Sequence, residues 1–221
     1  MICFDEQSRQ LLTPTRAPIP VCSGHPRRED PAYKRTSTRN LCMFAEPKAG
    51  KRHTLVSRRR TKRDVAYAMR YLVDCLYPHA NCIDVVLDTL ITHTYLALVE
   101  TFGKTEADRI AAPICFHFTP THGSWLNMAE IEPSVLTKQC LKPRIPDEWT
   151  LNLELIAWEN KANASHRQIH WSFSVADARR VLADYYPSSL PSSGTSATTI
   201  QRECPCRDQG HWRGDVCVCQ A

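Results

Sequence analysis

Three carboxylates in this chain have the surroundings of a divalent-metal site. Asp5 ends an apolar run at residues 2–4, Asp88 ends another at 83–87, and Glu130 comes just after a turn that contains glycine and proline. Mg²⁺ prefers oxygen ligands and keeps several waters, so one or two carboxylates can hold it beside a phosphate. Two such ions about 3.5–4 Å apart can activate a water or a 3′-hydroxyl and stabilise the leaving oxygen. The acids therefore predict metal-dependent chemistry on a phosphodiester.

Each acid also has a structural interpretation. Asp5 fits a solvated strand end, and Asp88 fits the cap of the turn that follows it. Glu130 and Glu132 fit first-turn acids, which the helix dipole favours near an N-terminus. Taken one at a time, the acids favour these structural roles, and only their shared context favours a site.

The elements that must position the acids alternate between strands and helices. Apolar and β-branched runs predict strands at residues 1–7, 40–45, 52–57, 82–87 and 114–118. Helical periodicity predicts helices at 61–77, 94–102, 151–159 and 175–185, with one more after the turn at 119–125. Thr61 and Asp64 have the spacing of an N-terminal capping box. The fold class is therefore α/β, with a mixed sheet covered by helices on both faces.

Two stretches fall outside this pattern. Residues 8–39 are rich in proline and charge and show no periodicity, which predicts an irregular basic insertion. Residues 188–221 begin with a Ser/Pro-rich segment that predicts disorder and continue with two Cys-x-Cys pairs. Because that spacing differs from the usual zinc knuckle, two interpretations stay open: an end without a selected role, or a small metal-binding knot. The predicted folded domain is 1–187.

The string Trp-Leu-Asn-Met-Ala-Glu at 125–130 closely resembles the third-carboxylate motif of DDE transposases, in the bacterial insertion-sequence branch of the Tc/mariner superfamily. Further similar segments follow in family order over about 185 residues: Phe-Asp-Glu at 4–6, Arg-Arg-Thr-Lys at 59–62, Val-Leu-Asp at 86–88 with Thr-His at 92–93, and Phe-His-Phe-Thr-Pro at 116–120. The resemblance implies a ribonuclease H-like fold whose first and fourth strands are neighbours. It also implies an enzyme that cleaves and transfers DNA strands at insertion-sequence ends.

The resemblance also implies roles for single residues. Asp5, Asp88 and Glu130 would be the catalytic residues and the metal ligands, with Glu132 as the fallback third acid. The cofactor would be Mg²⁺, with Mn²⁺ as a substitute, and two ions are expected. The residues expected to shape and support the site are His93, His122, Ser124, Trp125 and Asn127.

The charge distribution indicates a polyanionic partner. Residues 26–63 carry thirteen Lys and Arg against three Asp and Glu, while the whole chain has a net charge of +5. Such a block suits the phosphate backbone of double-stranded DNA, although a solvated loop would also explain it. The residues expected to contact the DNA backbone are Arg58, Arg59, Arg60, Lys62 and Arg63.

Two further partners are expected. Related enzymes carry helix-turn-helix modules ahead of the catalytic domain, whereas this sequence begins at the first catalytic strand. A separate polypeptide would then supply the recognition of transposon ends, and a second copy of the chain would form a homodimer.

The composition indicates a cytoplasmic protein. The sequence shows no apolar stretch of the roughly 18–20 residues that a membrane span needs and no signal-peptide pattern. The eleven cysteines are odd in number, which favours a reducing compartment. Six of them lie singly and are expected to act as small core hydrophobes: Cys3, Cys42, Cys75, Cys82, Cys115 and Cys140. We expect a bacterial protein that associates with the nucleoid when bound to DNA.

Two local departures favour an alternative function. Related proteins have Asp-Asn-Leu-Asn-Thr-His at the second acid, whereas Thr89 and Ile91 replace the two amides here. Pro133 follows Glu130 closely and either kinks the next helix or moves its start beyond Glu130. The alternative is a catalytically inactive remnant that retains non-specific DNA binding.

Overall fold

A five-stranded mixed sheet forms the centre of the computed structural model, which describes residues 1–26, 28–89 and 95–185. The strands are β1 (Ile2–Pro14), β2 (Tyr33–Glu46), β3 (Lys51–Ser57), β4 (Ile83–Leu87) and β5 (Ile114–Phe118). Their order across the sheet is β3-β2-β1-β4-β5. The first three strands are antiparallel neighbours, and β4 and β5 run parallel to β1.

This topology confirms the predicted ribonuclease H-like fold. An antiparallel meander of three strands is followed by two parallel strands, and the chain reaches each of these through helices. The first and fourth strands are neighbours, because Ile2 pairs with Val85 and Cys3 with Val86. The predicted hairpin between β2 and β3 is also present.

Helices cover both faces of the sheet. The first face carries α1 (Lys62–Tyr71), which continues as a π-helical turn (Leu72–Leu76), then α2 (Tyr95–Phe102) and α3 (Lys104–Ala111). The second carries α4 (Ile131–Gln139) and α5 (Glu148–Ala164), and α6 (Val175–Val181) follows. The sequence did not predict α3, because only Ala107 and Ile110 of this charged helix are buried.

Alternation along β1 divides its side chains between two cores. Phe4 packs on the first face with Val65 and Met69 of α1, whereas Leu11 packs on the second face with Leu136 and Leu151. Successive strand residues point to opposite faces, so one strand serves both cores.

Helix α1 starts as the sequence predicts. The Thr61 side chain accepts from the Asp64 backbone, and the Asp64 side chain accepts from the Thr61 backbone. This reciprocal capping box satisfies two amides at the helix start.

The predicted irregular insertion at 8–39 is wrong in its outer parts. Strand β1 runs on to Pro14 and β2 begins at Tyr33, so residues 9–14 and 33–39 form a two-stranded ribbon beyond the rest of the sheet. Much of the ribbon faces solvent on both sides, so its sequence lacks the apolar–polar alternation that marks a half-buried strand.

The ribbon is fastened to the body at its middle. Leu11 is buried against the second core, and the Leu12 amide donates to the Ile145 carbonyl at 2.7 Å. Arg9 donates to the Leu141 carbonyl. These contacts fix β1 to the body close to the point where its register with β2 shifts, between Leu11 and Leu12.

Two predictions fall on parts of the chain that the structure does not describe. The expected disordered tail at 188–221 and the supporting residue His93 lie outside the described residues. Within the described ranges, no helix is both long and apolar enough to cross a membrane.

Candidate metal-dependent nuclease site

Asp5 lies inside β1, so the prediction that it ends a strand is wrong. The strand continues because β2 pairs with it as far as Pro14. The parallel pairing of β1 with β4 stops earlier, at Cys3 and Val86. Asp5 therefore lies just past the point where β1 and β4 stop pairing.

Asp88 directly follows β4, as predicted. Val86 is two residues earlier on the same side of the pleat and packs near Cys3 and Ala129. The Thr119 amide donates to the Leu87 carbonyl at 2.9 Å, which extends the contact between β4 and β5 by one residue. Asp88 thus emerges beside β1 and on the side of the sheet where Ala129 packs.

Glu130 is held against β1 by Asn127, which is only 2% exposed. The Asn127 side-chain amide donates to the Phe4 carbonyl at 2.7 Å, and its oxygen accepts from the Ala129 amide at 3.1 Å. Met128–Glu130 form a short 3₁₀ turn that leads into α4. Asn127 therefore ties the turn that carries Glu130 to the backbone of the residue before Asp5.

Glu130 and Asp88 are both close enough to Asp5 for their charges to affect the pKa of its carboxyl. The pKa of the Asp5 carboxyl is raised from its usual 3.8 to about 6, mainly because the group is buried and in smaller part because of the negative charges of Glu130 and Asp88. The Glu6 backbone amide, which donates to Asp5 at 2.7 Å, and the Arg60 guanidinium oppose this shift. The charges of Glu130 and Asp88 thus oppose the ionisation of Asp5.

The donor set fits a hard divalent cation. The ligand oxygens of Asp5, Asp88 and Glu130 do not all fall within 4.8 Å of one another, so the acids are near but not in mutual contact. A cation between them would offset the repulsion that the Asp5 pKa reports, and Mg²⁺ prefers such oxygen ligands.

Replacing Asp5 with asparagine is expected to stabilise the metal-free chain at neutral pH. Because the folded-state pKa lies above the usual value, the carboxyl destabilises the fold once it ionises. That cost is absent below about pH 4, grows as the pH rises through about 6, and is complete above it. With screening of a partly exposed group, it amounts to about 1–2 kcal/mol, or about 2–6 °C in Tm. Thermal unfolding with a chelator at pH 7.5 and at pH 4 measures it.

The matched control is Asp177→Asn. Hydrogen bonds from Ser174 lower the pKa of the Asp177 carboxyl, so this variant should not gain stability. An Asp5→Asn chain no more stable than wild type at pH 7.5 would contradict the raised pKa of the Asp5 carboxyl.

Pro133 fits neither predicted alternative fully. Helix α4 begins at Ile131, so Pro133 is its third residue, where an amide has no acceptor within the helix. Glu130 is the N-cap residue and the last residue of the 3₁₀ turn. Proline is therefore accommodated without displacing Glu130 from the start of the helix.

Glu132, the fallback acid, has a structural partner. It is 2% exposed and forms a two-pronged ion pair with Arg52, with N···O distances of 2.9 and 3.1 Å. Arg52 also donates to the carbonyls of Gly50 and Arg167, at 2.8 and 2.5 Å. This network joins β3 to α4, and we retain Glu130 as the third acid. Sequence reasoning missed Arg52 because nothing local marks a pair 80 residues apart.

The loop before Glu130 is shaped by its own backbone and by aromatic contacts. His122 adopts a positive φ of 63°, and its carbonyl accepts from the Trp125 indole at 3.1 Å. The His122 ring stacks on Tyr185, and the Trp125 ring meets Phe173 edge-on at 5.0 Å. Ser124 begins the short 3₁₀ turn Ser124–Leu126. Segments from both sides of α6 therefore brace the loop.

The predicted DNA-binding residues divide into two groups. Arg60 donates to the fully buried carboxylate of Glu6 at 3.1 Å, and Lys62 pairs with Glu100 at 3.2 Å. Arg63 lies over the Tyr67 ring, 5.6 Å from its centroid. The side chains of Arg58 and Arg59 are exposed at the end of β3. Arg60 thus has a structural role that its sequence context concealed.

The fold and the positions of the acids together are those of a metal-dependent nuclease class. A sheet of ribonuclease H-like order carries one acid on β1, a second directly after the neighbouring strand β4 and a third on the turn tied to β1, which is an arrangement suited to divalent-metal chemistry. A family model described as DDE superfamily endonuclease matches residues 1–152. The chain belongs to this family, as the sequence motifs predicted.

Two of the solved structures that match part of this chain are Mos1 complexes. The crystal structure of the Mos1 mariner paired-end complex with Mn has a TM-score of 0.46 at 14% identity, covering 75% of this chain and 50% of that one. A pre-cleavage Mos1 transpososome has a TM-score of 0.42 at 13% identity, covering 77% and 56%. This chain therefore spans about half the length of those proteins. No curated protein matches it significantly.

Proposed function

We propose that this chain is the catalytic domain of a Tc/mariner-type insertion-sequence transposase that cleaves and transfers DNA strands. The observation that supports the proposal is that Asp88 and Glu130 are close enough to Asp5 for their negative charges to contribute to the raised pKa of its carboxyl. Three acids held together by separate elements are poorly explained as solvated surface residues, because bringing like charges together destabilises the fold.

A different structural element would position the carboxylate oxygens of each acid. Asp5 extends from a strand paired on its β2 side, Asp88 from the end of β4, and Glu130 from a turn tied down by Asn127. Bound there, two Mg²⁺ ions, or Mn²⁺ in their place, would activate the attacking hydroxyl and stabilise the leaving oxygen. Two-metal chemistry requires accurately placed ligands, and rigid elements keep the ligands in place.

The DNA partner would be held mainly through its backbone. Arg58 and Arg59 extend from the end of β3 next to Arg60, which is close enough to Asp5 to lower its pKa. Phosphate contacts from exposed arginines position a duplex without reading its sequence. Transposon ends and target DNA are the proposed substrates, and residues 1–187 the proposed domain. The homodimer and the separate polypeptide with helix-turn-helix modules stay predictions.

Titration with Mn²⁺ tests the site without requiring recognition of transposon ends. Asp5→Asn and Asp88→Asn should each weaken Mn²⁺ binding by at least about 10–100-fold, the range found for outer-shell changes. The control is Asp184→Asn, an exposed acid near the end of the described chain. Nicking of supercoiled plasmid with Mn²⁺ should disappear in the same two variants. Equal Mn²⁺ affinity in all four chains would contradict the proposal.

The remnant is a second candidate, and one observation favours it. Thr89 stands where related proteins have an amide, and its hydroxyl donates to the Thr119 carbonyl. That side chain therefore braces β5 and is not directed to the metal ligands. DNA binding that weakens steeply with salt, together with no nicking and no specific Mn²⁺ binding, would select this candidate.

A further inference from the structure

A second cluster of metal-ligating side chains lies on the β4–β5 pair, at the end opposite Asp88. The ligand atoms of Cys82, Asp84 and Cys115 all fall within 4.8 Å of one another. His117 is beside them, with its Nε2 2.8 Å from Asp84 Oδ1. We propose that Cys82, Asp84 and Cys115 bind a zinc ion, with His117 as the fourth ligand.

Strand register builds this cluster. Asp84 pairs with Cys115 across the parallel strands, and Cys82 and His117 are each two residues from one of them. Residues two apart share a face of a strand, so all four side chains lie on one face. The opposite face carries Ile83, whose side chain belongs to the first core. The expectation that Cys82 and Cys115 are core hydrophobes is therefore wrong, since both are half-buried on the other face.

The sulfur spacing matches a tetrahedral zinc centre. Zinc–thiolate bonds of about 2.3 Å at a tetrahedral angle place two sulfurs about 3.8 Å apart. The Sγ atoms of Cys82 and Cys115 are 3.6 Å apart. A disulfide needs a separation of about 2.05 Å, so these thiols are not bonded to each other. Little movement of either strand would be needed to admit the ion.

The proposed fourth zinc ligand, His117, is the most exposed of the four side chains. The His117 side chain is 56% exposed, and that of Asp84 is 13% exposed. The 2.8 Å contact between His117 Nε2 and Asp84 Oδ1 keeps the ring beside the cluster. A turn of the ring toward the sulfurs would let His117 join Asp84 and the two cysteines as a ligand to the ion. Two thiol protons leave at the same time, because the thiolate is the ligand.

The ligand chemistry separates this site from the carboxylate site. Thiolate and imidazole suit Zn²⁺, whereas Mg²⁺ takes oxygen ligands. Asp84 and Asp88 are four strand residues apart, about 13 Å along β4. Strand β5 is at the edge of the sheet and pairs only with β4 among the described strands. A bound zinc ion would therefore crosslink the edge strand to its neighbour.

Cobalt spectroscopy on the full chain tests the proposal. Co²⁺ replaces zinc in tetrahedral thiolate sites and gives a sulfur-to-cobalt charge-transfer band that oxygen-bound ions lack. Under a non-thiol reductant, the chain should bind one Co²⁺ with this band, and one equivalent of Zn²⁺ should abolish it. Cys115→Ser and Asp84→Asn should each weaken binding at least 10-fold, and His117→Ala should change the visible bands.

Two controls locate the ion. Cys75→Ser removes an exposed cysteine elsewhere and should leave the spectrum unchanged. A variant with serine at Cys204, Cys206, Cys217 and Cys219 tests the tail and should also keep the band. A band lost in the tail variant but kept in Cys115→Ser, or no charge-transfer band in the wild-type chain, would overturn the proposal.

Discussion

An Arg52→Met chain is expected to lose about 3–5 kcal/mol of unfolding free energy. The methionine would leave the Glu132 carboxylate buried at 2% exposure without the guanidinium that binds both its oxygens. It would also remove the donors to the carbonyls of Gly50 and Arg167. A buried charge without a partner costs far more than an exposed one, so urea unfolding should show a large shift in midpoint.

Two comparison variants make this result specific. Lys104→Met breaks an exposed pair with Asp108 and should cost less than about 1 kcal/mol. Combining Arg52→Met with Glu132→Leu removes both charges and should recover a large part of the loss. If the single Arg52 variant were as stable as the Lys104 variant, the ion pair would not be buried in solution.

An Asn127→Ala chain is expected to lose both stability and metal affinity. Removing the amide leaves the Phe4 carbonyl and the Ala129 amide without this partner, at about 1–3 kcal/mol. The turn that carries Glu130 would no longer be tied to the strand that carries Asp5. We expect Mn²⁺ affinity to fall about 10–100-fold, as for other groups that orient ligands.

The metal readout separates positioning from folding. Asn152→Ala on α5 removes an amide that donates to the Glu148 carbonyl within the same helix, and it should leave Mn²⁺ affinity unchanged. Titrations well below the Tm of each variant exclude the unfolded population. An Asn127→Ala chain that is less stable but binds Mn²⁺ like wild type would limit Asn127 to a purely structural role.

The sequence predicted what depends on local pattern. The capping box of Thr61 and Asp64, the buried strand that ends at Asp88 and the turn before Glu130 are all readable within a few residues. The alternation of strands with helices predicted a mixed α/β sheet, and the resemblance to DDE transposases implied that the first and fourth strands are neighbours. These features set the fold and brought the candidate acids to neighbouring elements.

What the sequence did not predict depends on register or on distant pairs. Arg52 and Glu132 are 80 residues apart, and neither has a local signal for burial as a pair. Cys82 and Cys115 meet only because β4 and β5 pair in one particular register. The ribbon lacked alternation because solvent lies on both of its faces. Periodicity reports a buried face, so it cannot detect strands that have none.

The anchoring of β1 at Leu11 divides that strand into two mechanically distinct parts. Asp5 lies on the inner side of the anchor, and residues 15–32 join the outer ends of the ribbon. Changes in the length of an exposed connection carry only a small entropic cost, about 0.6 kcal/mol for each doubling. The length and the charge of the ribbon tip can therefore change during evolution without moving Asp5. The fold has room there to acquire new partners without rebuilding its centre.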